Sequence, residues 1–217
     1  FDRQIEYPVT LLPAEDLDPS VLGDVDVLIL PDGDHDEWLT DARAQTLTQW
    51  VQHGGRLLAL GEANGALSGR TEYRLSRKDR MASSDTTSPD DELQRYGAQS
   101  RRAVSQFTPG SIHRVRIDSS HPLGFGVNTP YFTLKRNRSA YAYLESGWTV
   151  GALRESTPVS GFMGQEAQTT VEGTTLFGTQ QLGAGHVVYL IDNPLFRGFW
   201  YSGHVLFSNA VFLVGND

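Results

Sequence analysis

Near the end of the chain, Asp192, Asn193, Arg197, Trp200, Tyr201 and His204 gather charged, amide and aromatic groups within one short stretch. Arg197 could hold a carboxylate in a bidentate pair while Trp200 or Tyr201 forms an apolar wall. It could equally pair with an internal acid such as Asp192 or Glu62 and fix its loop, because buried polar groups usually satisfy one another. Glu62 and Asn64 follow a glycine turn at Gly61. A carboxylate there serves as a general base if burial raises its pKa, and more often it caps the next helix. Asp32, Asp34, His35, Asp36 and Glu37 crowd around Gly33 as an acidic loop. A hard cation is conceivable, but the glycine and distal glutamate of the twelve-residue calcium loop are missing, which favours a solvated turn. Ser202 and His204 lie close without a G-x-S-x-G frame, so Ser202 reads as a helix cap rather than a nucleophile. Gly183 and Gly185 lack the lysine and hydroxyl of a phosphate loop and read as the turn before a strand.

These residues are positioned by elements whose patterns are legible. The organising stretch is V-Q-H-G-G-R-L-L-A-L-G-E-A-N-G, from Val51 to Gly65. A helix stops at the Gly54-Gly55 pair, an apolar strand runs from Leu57 to Leu60, and the chain breaks at Gly61. In open α/β sheets chemistry sits just past the carboxyl end of such a strand, and a nucleophile, where one is used, occupies the turn. Glycine has no side chain and attacks nothing. Upstream, Asp26 to Leu30 is a β-branched run suited to a strand buried on both faces, ending at Pro31-Asp32-Gly33. Thr40 predicts the cap of a helix to about His53, with Leu47, Trp50 and Val51 on its apolar stripe. Residues 5 to 12 read as a further strand. After a polar excursion over 66–107, including a basic-acidic stretch at 74 to 80 that reads as a solvated face and a helix near 92–107, strand signals dominate. They fall at 112 to 117, 131 to 134, 141 to 144, 148 to 153, 174 to 182 and 185 to 192. A closing helix capped by Ser202 would face Val205, Leu206, Ala210 and Leu213 inward. The order is that of an α/β domain.

Composition narrows the classes. A chain of 217 residues is large enough for a real core, and no linker or internal repeat divides it, so 1–217 reads as one domain. The net charge of -8 disfavours nucleic acid and anionic membranes as partners. No apolar run approaches the ~20 residues that span a bilayer, so membrane insertion is not expected. With no cysteine there is no thiolate nucleophile, thiolate metal site or disulfide. The chain opens on Phe1, which suggests a piece of a longer protein.

Three stretches, D-V-L-I-L-P-D-G, L-T-Q-W-V-Q-H-G-G-R-L-L-A-L-G-E-A and G-A-G-H-V-V-Y-L-I-D-N-P, resemble the class I glutamine amidotransferase-like fold, a flavodoxin-like, doubly wound and mostly parallel sheet, here with extra β-rich segments in the second half. In working members the elbow strand delivers a cysteine and the late strand a histidine followed by proline and glutamate. This chain has Gly61 at the elbow and Asp192-Asn193-Pro194 at the late strand end. The resemblance therefore implies the scaffold without glutaminase activity. P-G-S-I-H-R-V-R-I-D-S-S-H-P-L-G-F-G, V-S-G-F and D-N-P-L-F-R-G-F-W-Y-S-G-H-V-L-F-S-N-A resemble the domain that follows the peptidase domain in bacterial zinc carboxypeptidase-like proteins. That resemblance implies an accessory domain whose partner is an attached N-terminal peptidase domain, outside the cytoplasm, with zinc belonging to the peptidase. None of the six histidines has glutamate three residues on, so no zinc peptidase site is expected here.

Three functions follow as expectations. The first is a catalytically silent, amidotransferase-like accessory domain. The second is a module that binds a small carboxylate or sugar in the vestigial crevice, built from Gly33, Gly61, Glu62, Asn64, Asp192, Asn193, Arg197, Trp200 and His204. The third is a hydrolase with substituted chemistry on Glu62, Asp192 or His204, which requires two of them to meet at one cavity.

Overall fold

A computed structural model describes residues 6–78, 101, 103–198 and 200–215. Eight strands form one sheet in the order β1-β2-β8-β7-β5-β3-β4, with β6 paired to β3. The strands are β1 (Val27–Leu30), β2 (Arg56–Leu60), β3 (Gly110–Ile117), β4 (Tyr131–Lys135), β5 (Trp148–Leu153), β6 (Ser160–Phe162), β7 (Thr174–Leu182) and β8 (Gly185–Leu190). The helices are α1 (Pro19–Leu22), α2 (Asp41–Gln52), α3 (Ala63–Leu67), α4 (Gln165–Val171) and α5 (Tyr201–Phe212).

The expected mostly parallel sheet is mixed. β1 pairs β2 and β2 pairs β8 in parallel, while β8–β7, β7–β5, β5–β3, β3–β4 and β3–β6 are antiparallel. Connection length is the cause: β7 turns into β8 through Gly183 and Ala184, and a two-residue turn can join only antiparallel strands. Where helix α2 intervenes between β1 and β2, the crossover leaves them parallel. The β1–α2–β2 prediction holds closely, with Thr40 Oγ1 accepting the Arg43 N–H at the cap, 3.4 Å.

Strand parity makes two cores. Leu57 and Ala59 of β2 join Val187 and Tyr189 of β8 against Leu47 and Val51 of α2 on one face. Leu58 and Leu60 join Val188 and Leu190 against Ala167 and Val171 of α4 and Leu206, Phe207 and Ala210 of α5 on the other. Buried strands sandwiched this way show no polar alternation, which is why β2 from Leu57 to Leu60 and β8 from Val187 to Leu190 are unbroken apolar runs.

Several expectations are corrected. Residues 6–12 form no strand; the stretch carries Pro8 and is followed by Pro13, and both lack the N–H that a ladder needs. Residues 141 to 144 contribute only a single bridge, Tyr141 to Arg77. β8 stops at Leu190, two residues short of its expected end. The helix expected near 92–107 lies largely outside the described residues, which are helical at 103–106. Ser202 does not cap α5: the helix begins at Tyr201 after Trp200, with no side-chain cap. Its buried stripe is Leu206, Phe207 and Ala210, while Val205 and Leu213 are each 40% exposed.

Candidate functional site

Gly61 sits at the end of β2 with φ +55, the left-handed conformation that a nucleophile elbow imposes on its residue. The backbone of the elbow is kept. The space above it is taken by Asp32, from the loop after β1: a Cβ at residue 61 would lie 2.0 Å from Asp32 Oδ1. That oxygen also accepts the Glu62 N–H at 2.9 Å. Glu62 stands at the N-cap position of α3 but makes no side-chain cap; the Asp32 carboxylate takes over one of the orphan N–H groups of the helix start. Glu62 itself is exposed.

Asn64 faces inward from α3 and is fully buried. Its Nδ2 donates to Gly61 O at 2.9 Å and to Ala59 O and Leu190 O at 3.1 Å. One amide thereby ties the ends of β2 and β8 to the elbow, a fastening rather than a catalytic role. Gly65 of the same helix lets a guanidinium approach: a Cβ there would lie 2.8 Å from Arg77 Nη2. Arg77, Glu62 and Asp36 all act electrostatically on Tyr141, whose phenol burial pushes up. Gly33 only turns the acidic loop, in which Asp34 Oδ1 accepts the Asp36 N–H at 2.9 Å and His35 Nε2 bonds Pro31 O at 2.9 Å. Among the described residues no group of three or more His, Asp or Glu side chains is placed to hold a metal ion.

Asp192, just past β8, is buried and committed. Lys135 Nζ lies 3.0 Å from its Oδ1, with the two side chains 0% and 4% exposed. Thr133 Oγ1 donates to Oδ2 at 2.8 Å, and Lys135 also donates to Ser139 O at 3.1 Å. Beside them His113 Nε2 bonds Ser111 Oγ at 2.8 Å in full burial. Burial, and then the Lys135 ammonium, push the His113 imidazole below its ordinary pKa, with Asp192 opposing. Asp192 was foreseen as a site residue; Lys135, Thr133, His113 and Ser111 were not. The signal was there: the inward positions 111 and 113 of β3 and 133 and 135 of β4 are polar where a core strand should be apolar.

Arg197 does not pair with Asp192 or Glu62. It is exposed, in a left-handed conformation at φ 51 and ψ 19, with its guanidinium 5.2 Å from the Phe196 ring centroid. Arg136, following β4, lies 5.3 Å from the same ring. Neither arginine makes an ion pair with an acid among the described residues. Asn193 accepts the Leu195 N–H at 2.9 Å and shapes the loop. Trp200 donates its indole N–H to Phe132 O at 3.0 Å, on edge strand β4. His204 lies against Tyr201 on α5, ring centroids 5.5 Å apart. Glu62, Asp192 and His204 make no hydrogen bond to one another, so the three candidate groups of a substituted hydrolase are held in separate settings.

No protein-family model matches the sequence, and no curated protein matches it. Among solved structures, a ThuA-like protein from Bacteroides uniformis aligns with 93% of this chain and 74% of its own, at 11% identity and a TM-score of 0.51. A cytoplasmic protein from Salmonella typhimurium aligns with 93% of this chain and 75% of its own, at 12% identity and a TM-score of 0.48. ThuA-like proteins have the class I glutamine amidotransferase-like fold, and the likeness shows that this chain shares their α/β fold. At this identity it speaks of fold alone.

Proposed function

We propose that this chain is a catalytically silent amidotransferase-like module, accessory to an attached zinc carboxypeptidase-like domain of an exported protein. The observation that carries the silence is the Asp32 carboxylate standing where an elbow side chain would project from Gly61. The late-strand acid, Asp192, is also withdrawn into a buried pair with Lys135. In support of docking, Phe125, Tyr201 and Val205 are 65%, 74% and 40% exposed, and a Cβ on Gly126 would lie 4.0 Å from Val205, so the loop and α5 share one apolar surface. Such a patch suits a domain interface. The purified chain should release no ammonia from glutamine; release would overturn the silent reading. Capture of the parent's isolated peptidase domain should weaken with Tyr201→Glu, and undiminished capture by Tyr201→Glu and Val205→Glu variants would remove this surface from the reading.

A second reading, a carboxylate-binding module, is favoured by the two guanidiniums resting on Phe196 with no acid partner among the described residues. Two like charges beside one ring are relieved by an anion that accepts from both. Titration with N-acetylalanine should give saturable binding that Arg197→Ala abolishes. No binding, or binding indifferent to Arg197, argues for the first reading.

A further inference from the structure

At the opposite end of the sheet from the elbow, a half-open groove of about 320 Å³ lies between the loop after β3, the start of β5, the end of β7 and the C-terminus of α5. That volume is at the lower limit of small-molecule sites. Trp148 lies in its wall, 53% exposed. Its position is built: Trp148 registers with Thr179 of β7, and Gly147 lets the strand begin flush on that neighbour, since a Cβ at 147 would lie 2.4 Å from Thr179 O. His121 braces the indole, ring centroids 5.8 Å apart at 45°. Its own ring is fixed at both nitrogens, with Leu123 N–H donating to Nδ1 at 3.0 Å and Nε2 bonding Thr179 Oγ1 at 3.2 Å.

The rest of the lining mixes polar Asp118, Ser120, Gln181 and His186 with apolar Pro122 and Val214, and carries no lysine or arginine. Asp118 is pinned by Ser120, whose N–H and Oγ–H both reach Oδ1, at 3.0 and 2.6 Å. Those bonds hold its carboxyl below the usual range, and Oδ2 accepts nothing among the described residues. Gln181 stands exposed across the groove.

We propose that this groove binds a neutral sugar, one pyranose ring lying on the Trp148 indole while hydroxyls bond Asp118 and Gln181. An indole face is electron-rich and attracts the polarised C–H groups on one side of a sugar ring. A fixed carboxylate and an amide are acceptors and donors for hydroxyls. With no lysine or arginine in its lining, the ionised Asp118 turns away anionic ligands, so the site differs in chemistry as well as place from the arginines on Phe196.

The test is calorimetric titration and tryptophan fluorescence of the purified chain with cellobiose, maltose and N,N′-diacetylchitobiose at millimolar concentration, with glucuronic acid as the anionic control. At least one neutral disaccharide should bind and glucuronic acid should bind more weakly. Trp148→Ala should weaken the complex about tenfold or more, the loss of one good contact. Asp118→Asn and Gln181→Ala, at exposed positions that leave the fold intact, should weaken it by a smaller factor, and Arg197→Ala should leave it unchanged. Binding by none of the three sugars overturns the proposal. So does binding that survives Trp148→Ala and Asp118→Asn, or that is lost only in Arg197→Ala.

Discussion

At the scale of single residues, this molecule keeps an elbow and fills it. Gly61→Cys should therefore fail as a repair: the new Cβ meets the Asp32 carboxylate, at a left-handed φ that a side chain dislikes. Loss of about 1–3 kcal/mol of stability in urea unfolding, with no ammonia release, is the expected outcome. An unchanged midpoint would mean Asp32 swings away freely. Asp192→Ala should cost about 3–5 kcal/mol, because it strands the buried Lys135 ammonium. The neighbouring imidazole gives a pH test. The unfolded His113 takes up a proton near its ordinary value of 6.5, whereas the folded one resists, chiefly through burial and then Lys135. A depressed folded pKa means stability that is present above that value and is lost as pH falls from there through the folded pKa. His113→Gln should flatten the urea midpoint between neutral and mildly acidic pH; an equally steep decline in the variant would trace the loss to other groups. That residue 61 offers no side chain was legible because one letter decides it. What filled the site was not: Asp32 and Gly61 belong to loops after different strands, and only the parallel pairing of β1 on β2 brings them together.

Among elements, the best-read ones carry their own punctuation. α2 has a threonine at its start and paired glycines after its end, and β2 and β8 hold apolar runs bounded by turns. The short β6 and α4 were missed, because three exposed residues and a seven-residue helix give too little periodicity to read. The glycines also mark where elements touch. At Gly185 the start of β8 passes so close to the end of α2 that a Cβ would lie 2.1 Å from Val51 O and 2.2 Å from Gly55 O. Gly185→Ala must push helix and strand apart, and we expect a loss of about 3 kcal/mol in urea unfolding. A loss below about 1 kcal/mol would show that this junction yields. Asn64 fastens the other end of the same strands, so Asn64→Ala, which removes buried amide bonds to Ala59 O and Leu190 O and leaves Leu190 O only the Gly61 N–H, should cost about 1–3 kcal/mol by the same measurement.

For the molecule as a whole, charge and topology set the behaviour. With net charge -8, the chain should give no saturable anisotropy change with duplex DNA at physiological salt; a saturable change that salt abolishes would reveal a basic patch strong enough to win locally. No described helix is long and apolar enough to cross a membrane. The sheet joins two kinds of partnership. β7 and β8 are consecutive strands joined by a tight turn, whereas β2 meets β8 only after most of the chain has passed between Leu57 and Val187. Contacts so distant along the chain are slow to form, because the entropy of closing the loop is spent before the pairing returns anything. The hairpin should thus be ordered early and the β2–β8 seam late. Yet that closing cost grows only with the logarithm of loop length. A seam already bridging so much chain is nearly indifferent to a few dozen residues more, so the loops between the strands of the intervening stretch are where this architecture can lengthen or shorten over evolution without endangering the sheet that holds the elbow.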